Sequence, residues 1–172
     1  MKLEAPGRRP VVVVSRCLLG ERCRYDGKTV SSPAVRRLGE MVSFVPVCPE
    51  MEIGLGVPRD PIRLVRTSGG VRLVQARTGR DLTAKLRAFG QRFLAGLDVD
   101  AFLLKSHSPS CAVRDATVCD PRGRVLSVRL AGRFAAAARR RFPSVLLWDE
   151  QMLAEPGAGR QFGQEIRLRA AK

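Results

Sequence analysis

Three short apolar runs constrain the fold of this chain more than any other feature. Residues 11–14 are four consecutive valines, residues 42–47 read Val-Ser-Phe-Val-Pro-Val, and residues 101–104 read Ala-Phe-Leu-Leu. Each run is short and bounded by turn residues, as expected of strands in the core of an α/β sheet. The valine run has the continuous β-branched character of a parallel strand buried on both faces. Each also runs into a turn that carries a cysteine. The first continues as Ser15-Arg16-Cys17, the second meets Cys48 directly, and the third passes through Lys105-Ser106-His107-Ser108-Pro109-Ser110 to Cys111.

Helical patterns lie between these strands. Ser32-Pro33 opens a short helix to about Leu38, since proline is tolerated at a first helical position. Asp81 or Thr78 caps a second helix, with Leu82, Leu86, Phe89, Phe93 and Leu97 at helical spacing. Residues 131–142 form another helix, 144–147 a last strand, and 150–153 a short helical turn. Residues 62–65 and 71–75, split by Thr67-Ser68-Gly69-Gly70, read as a β-hairpin. Further extended pieces fall near Thr117-Val118 and at 126–129. Strands alternating with helices predict an α/β domain, three-layer and Rossmann-like, with a largely parallel sheet and the hairpin as a small insertion. With 172 residues the chain has room for one such domain, over 1–155. Residues 156–172, rich in Gly and Arg, are expected as a flexible basic tail.

Composition excludes several classes. No apolar stretch is long enough for a signal peptide or a membrane span. Five cysteines is an odd number without a secretory signal, which argues against a disulfide framework and for thiols kept reduced in the cytoplasm. The net charge of +15 attracts polyanions, so RNA is a partner to consider. Yet the basic residues are spread along the chain, and aromatics at 5% leave few platforms on which to stack bases. An arginine- and alanine-rich composition gives the same charge with no RNA.

Ligands of open α/β sheets gather outside the carboxyl ends of the strands. Three thiolates delivered there suit a soft metal. Iron–sulfur clusters are normally held by four Cys, so three would leave one iron open. Two alternatives stand beside this reading. Free cysteines often serve as small buried hydrophobes, although filler cysteines do not need the Pro, Gly and Ser that surround these three. Zinc is the other, but no C-x-x-C pair is present. Glu50, two residues after Cys48, is placed to act as general acid or base, with Glu52 competing for the role. Ser108 and Ser110 flank a rigid Pro109 before Cys111. Arg24, Tyr25 and Arg59 offer charge and a ring face for a substrate. His107, the single histidine, has no triad partners, and Cys119 has no companion.

With those residues in view, the chain resembles the DUF523 family, whose characterised members include thiouracil desulfidase. The matching stretches are Ser15-Arg16-Cys17-Leu18-Leu19-Gly20 with Cys23-Arg24-Tyr25-Asp26-Gly27, Cys48-Pro49-Glu50 with Gly54-Leu55, and Pro58-Arg59-Asp60-Pro61. Gly79-Arg80-Asp81-Leu82-Thr83 and Leu104-Lys105 with Ser108-Pro109-Ser110-Cys111 complete them. The resemblance implies a [4Fe-4S] cluster on Cys17, Cys48 and Cys111, a catalytic Glu50 and a catalytic Ser108. Read from their own chemistry, Arg24, Tyr25, Arg59 and Ser110 are expected around the substrate. The implied reaction is a non-redox desulfuration of a thiolated base such as thiouracil, C=S to C=O, with sulfide released. Thiouridine within tRNA, or a cluster-based redox or iron sensor with no turnover, are the alternatives. The chain departs from the family pattern at Arg63, at Ala112 and over residues 118–123, segments expected to border the substrate.

Overall fold

The computed structural model describes residues 8–171. The first seven residues, where no leader is expected, and Lys172 lie outside the described residues. Strand β1 (Val11–Ser15) sits at the centre of a four-stranded parallel sheet with β2 (Ser43–Val47), β5 (Ala101–Leu104) and β8 (Leu146–Asp149). The order is β2-β1-β5-β8. Val12, Val13 and Val14 are fully buried, as the unbroken valine run requires. Pro46 stands in β2, an edge strand of this sheet, where a missing amide hydrogen is tolerated.

Both faces of the sheet are covered. On one face Val12, Val14, Ala101 and Leu103 pack against Val35 and Leu38 of α1 (Pro33–Leu38) and Leu153 of α5 (Glu150–Ala154). On the other, Val13, Phe102 and Leu104 meet α3 (Thr83–Ala95) and α4 (Arg133–Arg141) through Leu86, Phe89, Phe134 and Ala135. The Phe89 and Phe134 rings stack with centroids 6.2 Å apart. The capping position of α3 is Leu82, not Asp81 or Thr78; Asp81, one residue earlier, still accepts the Thr83 amide at 2.7 Å.

The hairpin is more than an insertion. Strands β3 (Ile62–Thr67) and β4 (Gly70–Gln75) form half of a second sheet, completed by β6 (Ala116–Cys119) and β7 (Val125–Leu130), in the order β4-β3-β6-β7. Leu64 and Leu73 are fully buried against the first core, and β6 joins β3 in parallel at Leu64 and Val118. A two-stranded ribbon alone is marginal in water, and two further strands cover what it would expose.

The expected tail is also corrected. Residues 158–170 form helix α6 (Ala158–Ala170). Its buried positions Ala158, Phe162, Ile166 and Ala170 repeat every fourth residue, and Phe162 packs on Trp148 with ring centroids 5.0 Å apart. Gly157, Gly159 and Gly163 mask this stripe in the sequence. The last strand begins two residues later than its apolar run suggests, at Leu146.

Candidate functional site

The chain leaves β1 for β2 on one side and returns to β5 on the other, so the sheet order reverses between β1 and β5. Such a switch point opens a crevice at the carboxyl ends of the strands. A cavity of about 480 Å³ lies there, lined from Ser15, Val47 and Lys105 outward. The Lys105 amide donates to Ser15 Oγ at 2.9 Å, which stitches the ends of β5 and β1 together at its floor.

Four of the five cysteines line this cavity: Cys17, Cys23, Cys48 and Cys111. Cys17 lies in a single 3-10 turn, Arg16–Leu19, closed by Gly20 with a left-handed φ of 87°. Cys48 is the residue that starts α2 (Pro49–Glu52), with Pro49 in the first helical position. Cys111 sits in the loop after β5, where Ser108 Oγ accepts the amides of Ser110 (3.2 Å) and Cys111 (3.1 Å). Cys23 comes from the polar turn before α1, and its carbonyl accepts from Cys48 Sγ at 3.7 Å. Cys119 lies in β6, paired with Val65, and takes no part in the cavity.

Three of these thiols, Cys23, Cys48 and Cys111, are pushed toward the protonated form. Burial pushes Cys111 up to about 12, against hydrogen bonds from Ser15 and Ser108. Contact with Cys17 pushes Cys23 up to about 11. Contact with Cys23 and then burial push Cys48 upward as well. A thiophilic metal group would displace these protons, since the thiolate is the ligand. Among the described residues no three His, Cys, Asp or Glu side chains group as a site for a metal ion. Soft, buried thiols spread around one cavity fit a polynuclear sulfur-bridged group, which distributes its ligands over several metal atoms.

Glu50 stands on the same wall. Arg59 donates to its Oε2 from Nε (3.0 Å) and Nη2 (2.7 Å), and Ser110 Oγ donates to Oε1 at 3.1 Å. Glu52 pairs with Arg16 at 3.0 Å and does not line the cavity, whereas Glu50 does. Ser110 is fully buried behind Glu50 and is not on the cavity wall, so its expected contact with substrate is corrected: its hydroxyl serves the carboxylate. Arg59 lines the cavity, yet its guanidinium is only 4% exposed and also binds the carbonyls of Cys23 (2.9 Å) and Gly56 (2.8 Å). Arg24 is engaged with Asp26 at 3.1 and 3.2 Å. Tyr25, 44% exposed, presents its ring at the cavity.

Sequence reasoning missed three features here. Cys23 was not among the expected ligands. Lys105 reaches the cavity and is ion-paired with Glu150, whose other oxygen accepts the Ser106 amide at 2.9 Å. Burial alone would raise the Glu150 carboxyl, but the hydrogen bonds from Lys105 and Ser106 outweigh it and hold it below its ordinary value. His107 stands at the rim with φ of 58°, in the left-handed region, its amide and ring both bound to Asp115. Conversely, Arg63, Ala112 and residues 118–123 are all absent from the cavity wall. Arg63 lies against Gly123 instead, so two of the departures face each other.

A family model described as 2-thiouracil desulfurase matches residues 12–150. The uncharacterized protein YbbK of Bacillus subtilis (strain 168) is 31% identical over 109 residues, covering 59% of this chain and 72% of that protein. The solved structure of a [4Fe-4S]-dependent thiouracil desulfidase, TudS (DUF523Vcz), is similar with a TM-score of 0.65 and 26% identity. It covers 90% of this chain and 99% of the other.

Proposed function

The chain belongs to the 2-thiouracil desulfurase family, and on that premise we propose that it converts the thiocarbonyl of a free thiolated pyrimidine to a carbonyl, releasing sulfide without net redox change. The cofactor is a [4Fe-4S] cluster, as in the similar solved enzyme, with Cys17, Cys48 and Cys111 as its ligands. The observation that carries this reading is the convergence of those three thiols and Glu50 on one cavity. The cluster supplies a soft Lewis acid suited to a thione sulfur.

The protein's own groups do the rest. Glu50 takes a proton from the attacking water at the thione carbon, and its position is set by Arg59 and Ser110. Two amides donate to Ser108 Oγ, so its hydroxyl hydrogen can turn from the Cys111 thiol to a substrate or water oxygen in the cavity. Tyr25 offers its ring to the face of the base. A pocket of this size belongs to the range of small-molecule sites, and a base held in tRNA would first have to leave its stack, at a few kcal/mol.

Anaerobic protein loaded with iron and sulfide should release sulfide from 2-thiouracil as the thione absorbance falls. Glu50→Gln should keep its iron and lose turnover by about 100-fold or more. A loaded cluster with no sulfide release from any thiopyrimidine would overturn the activity. Thiolated tRNA serves as the second substrate arm. Preferential turnover of it, collapsing as salt rises, would move the substrate from free base to RNA.

A further inference from the structure

Two protons leave the attacking water in the proposed reaction, and Glu50 is a base for one of them. The C–O bond forms, the C–S bond breaks as the carbonyl forms, and its electron pair departs with sulfur. Thione and water become carbonyl and hydrogen sulfide with no net electron transfer. Glu50 takes the first proton, and the second leaves the same oxygen afterwards. The other polar groups lining the cavity are poor acceptors. Its arginines stay charged. Lys105 spends its N–H groups on Ser106 O (3.3 Å), Ser106 Oγ (2.9 Å) and Glu150. Hydroxyls pass a proton on but do not hold a second one. Of the side chains on this wall, only a carboxylate and an imidazole ordinarily change charge near neutral pH, and the imidazole is His107.

His107 is the single histidine of the chain, and it is built into its place. Among the described residues it is the one non-glycine residue with a positive φ, 58°, a conformation that costs about 1–2 kcal/mol. Asp115 holds it twice: one oxygen accepts the His107 amide at 2.8 Å, the other accepts Nδ1–H at 3.1 Å. With hydrogen on Nδ1, the Nε2 lone pair accepts the Gln151 amide at 3.1 Å. Gln151 is exposed, so water replaces it readily. The charged neighbours are Arg114, beside Asp115 in the same loop, and Asp149 and Glu150 at the start of α5, where Lys105 neutralises Glu150. A carboxylate on Nδ1–H fixes the tautomer whose Nε2 takes a proton.

We propose that His107 is the second base of the site, a proton relay between the cavity and solvent, with Asp115 as its positioning residue. The inference rests on the function proposed above. Nε2 takes the second water proton through an intervening water and passes it to the departing sulfur or to bulk water. The ring lines the cavity and is also 65% exposed, as a relay at the rim requires.

The test compares wild type with His107→Asn and Asp115→Asn. Asparagine tolerates a left-handed φ, so His107→Asn keeps the turn. In the apoprotein, nitrogen-15 NMR reads the single imidazole directly: wild type should show the Nδ1–H tautomer and Asp115→Asn a mixture. A wild-type Nε2–H tautomer overturns the pairing and the relay with it. After anaerobic loading with iron and sulfide, all three proteins should match in iron content. With 2-thiouracil, kcat of His107→Asn should fall about 10-fold or more at near wild-type KM, less than for a sequestered base because solvent reaches the ring. Added imidazole should restore most of it. The acid limb of the wild-type kcat profile should follow the NMR titration of the ring and be lost in His107→Asn. A wild-type kcat and pH profile in iron-loaded His107→Asn overturn the relay and leave the proposed function standing. A fall that imidazole does not restore makes position 107 a structural turn, which also overturns the relay. Wild-type protein that carries a full cluster and releases no sulfide overturns both readings. Should His107→Asn fail to fold, the comparison is read on His107→Gly, which adopts this φ without strain.

Discussion

Replacing Gly132 with alanine tests how the loop that carries Cys111 is held. A Cβ at position 132 would lie 2.5 Å from both the carbonyl carbon and oxygen of Ser110 and 2.7 Å from the Cys111 nitrogen. All three are backbone atoms, so no side-chain swing relieves the overlap. The dihedrals of Gly132, φ −61° and ψ 157°, suit any residue, and the penalty comes from contact alone. The loop would have to retreat by roughly 1 Å to restore a separation of about 3.5 Å. It is seated there by the first amides of α4. Gly132 donates to Ala112 O at 2.8 Å, Arg133 to Pro109 O at 3.0 Å, and Phe134 and Ala135 to Ser110 O at 2.8 and 3.2 Å. Weakening two or three of these bonds costs about 1 kcal/mol each. Overpacking strain adds about 1–3 kcal/mol, for a total of about 3–6 kcal/mol. At about 2–4 °C per kcal/mol for a chain of this size, the Tm should fall by about 6–24 °C. Thermal melts of the apoprotein measure the first effect. Iron content after anaerobic loading measures the second, since Cys111 moves with the loop. Wild-type stability together with full iron loading in Gly132→Ala would refute the seating of this loop on α4.

Phe162→Ala should cost about 3–5 kcal/mol, the usual scale for an emptied aromatic core site, and should shift the fluorescence of Trp148, which it contacts; an unchanged denaturation midpoint would mean α6 is not docked. Arg59→Met leaves Glu50 without its charge partner, so stability should drop by about 3–5 kcal/mol and kcat should fall while iron content stays near wild type; unchanged kcat would remove Arg59 as a positioning residue. The folded Cys111 thiol titrates near 12 against 9.0 for an ordinary thiol, so over that window the folded state binds the extra proton and apoprotein stability falls as pH rises. Cys23 and Cys48, also raised, add slopes of the same sign. Denaturant midpoints below and above pH 9 measure the sum, and Cys111→Ser, tested in parallel, should make it shallower by one group's share; an equal slope in both would assign it to the other groups.

The parallel sheet was legible because its strands announce themselves in two ways. The valines of β1 are apolar on both faces, and the turns that follow β1, β2 and β5 carry residues with no business in a core. The strands of the second sheet were each read as extended pieces, but their joining into one sheet was not legible: β6 has four residues, and β7 leaves Val125, Leu126 and Val128 exposed. Its existence follows from a long-range need to cover Leu64 and Leu73, which no window of sequence contains. Helix α6 was hidden for the opposite reason. Its buried stripe is present at regular spacing, but glycine at 157, 159 and 163 outweighs it on propensity, and tertiary packing on Trp148 overrides that preference.

The cavity shows the same division between local and distant information. Cys48 and Glu50 are separated by one residue, and Ser108 and Cys111 by one turn, so motif reading found them together. Arg59 and Ser110 were also found, but as substrate contacts; their hydrogen bonds to Glu50 span 9 and 60 residues, and only the fold turns them inward. Glu150 lies 45 residues from Lys105 and carries no motif at all. Cys23 is the informative failure, because it was visible within the first motif and set aside for want of a role. Its neighbours Arg24, Tyr25 and Asp26 read as a substrate-facing polar turn, and only the backbone path, with Arg59 holding the Cys23 carbonyl, brings its thiol to the other three. A reading taken from three strand ends could not place a thiol that arrives from a turn, and that is why the set of thiols lining this cavity is a question of tertiary structure.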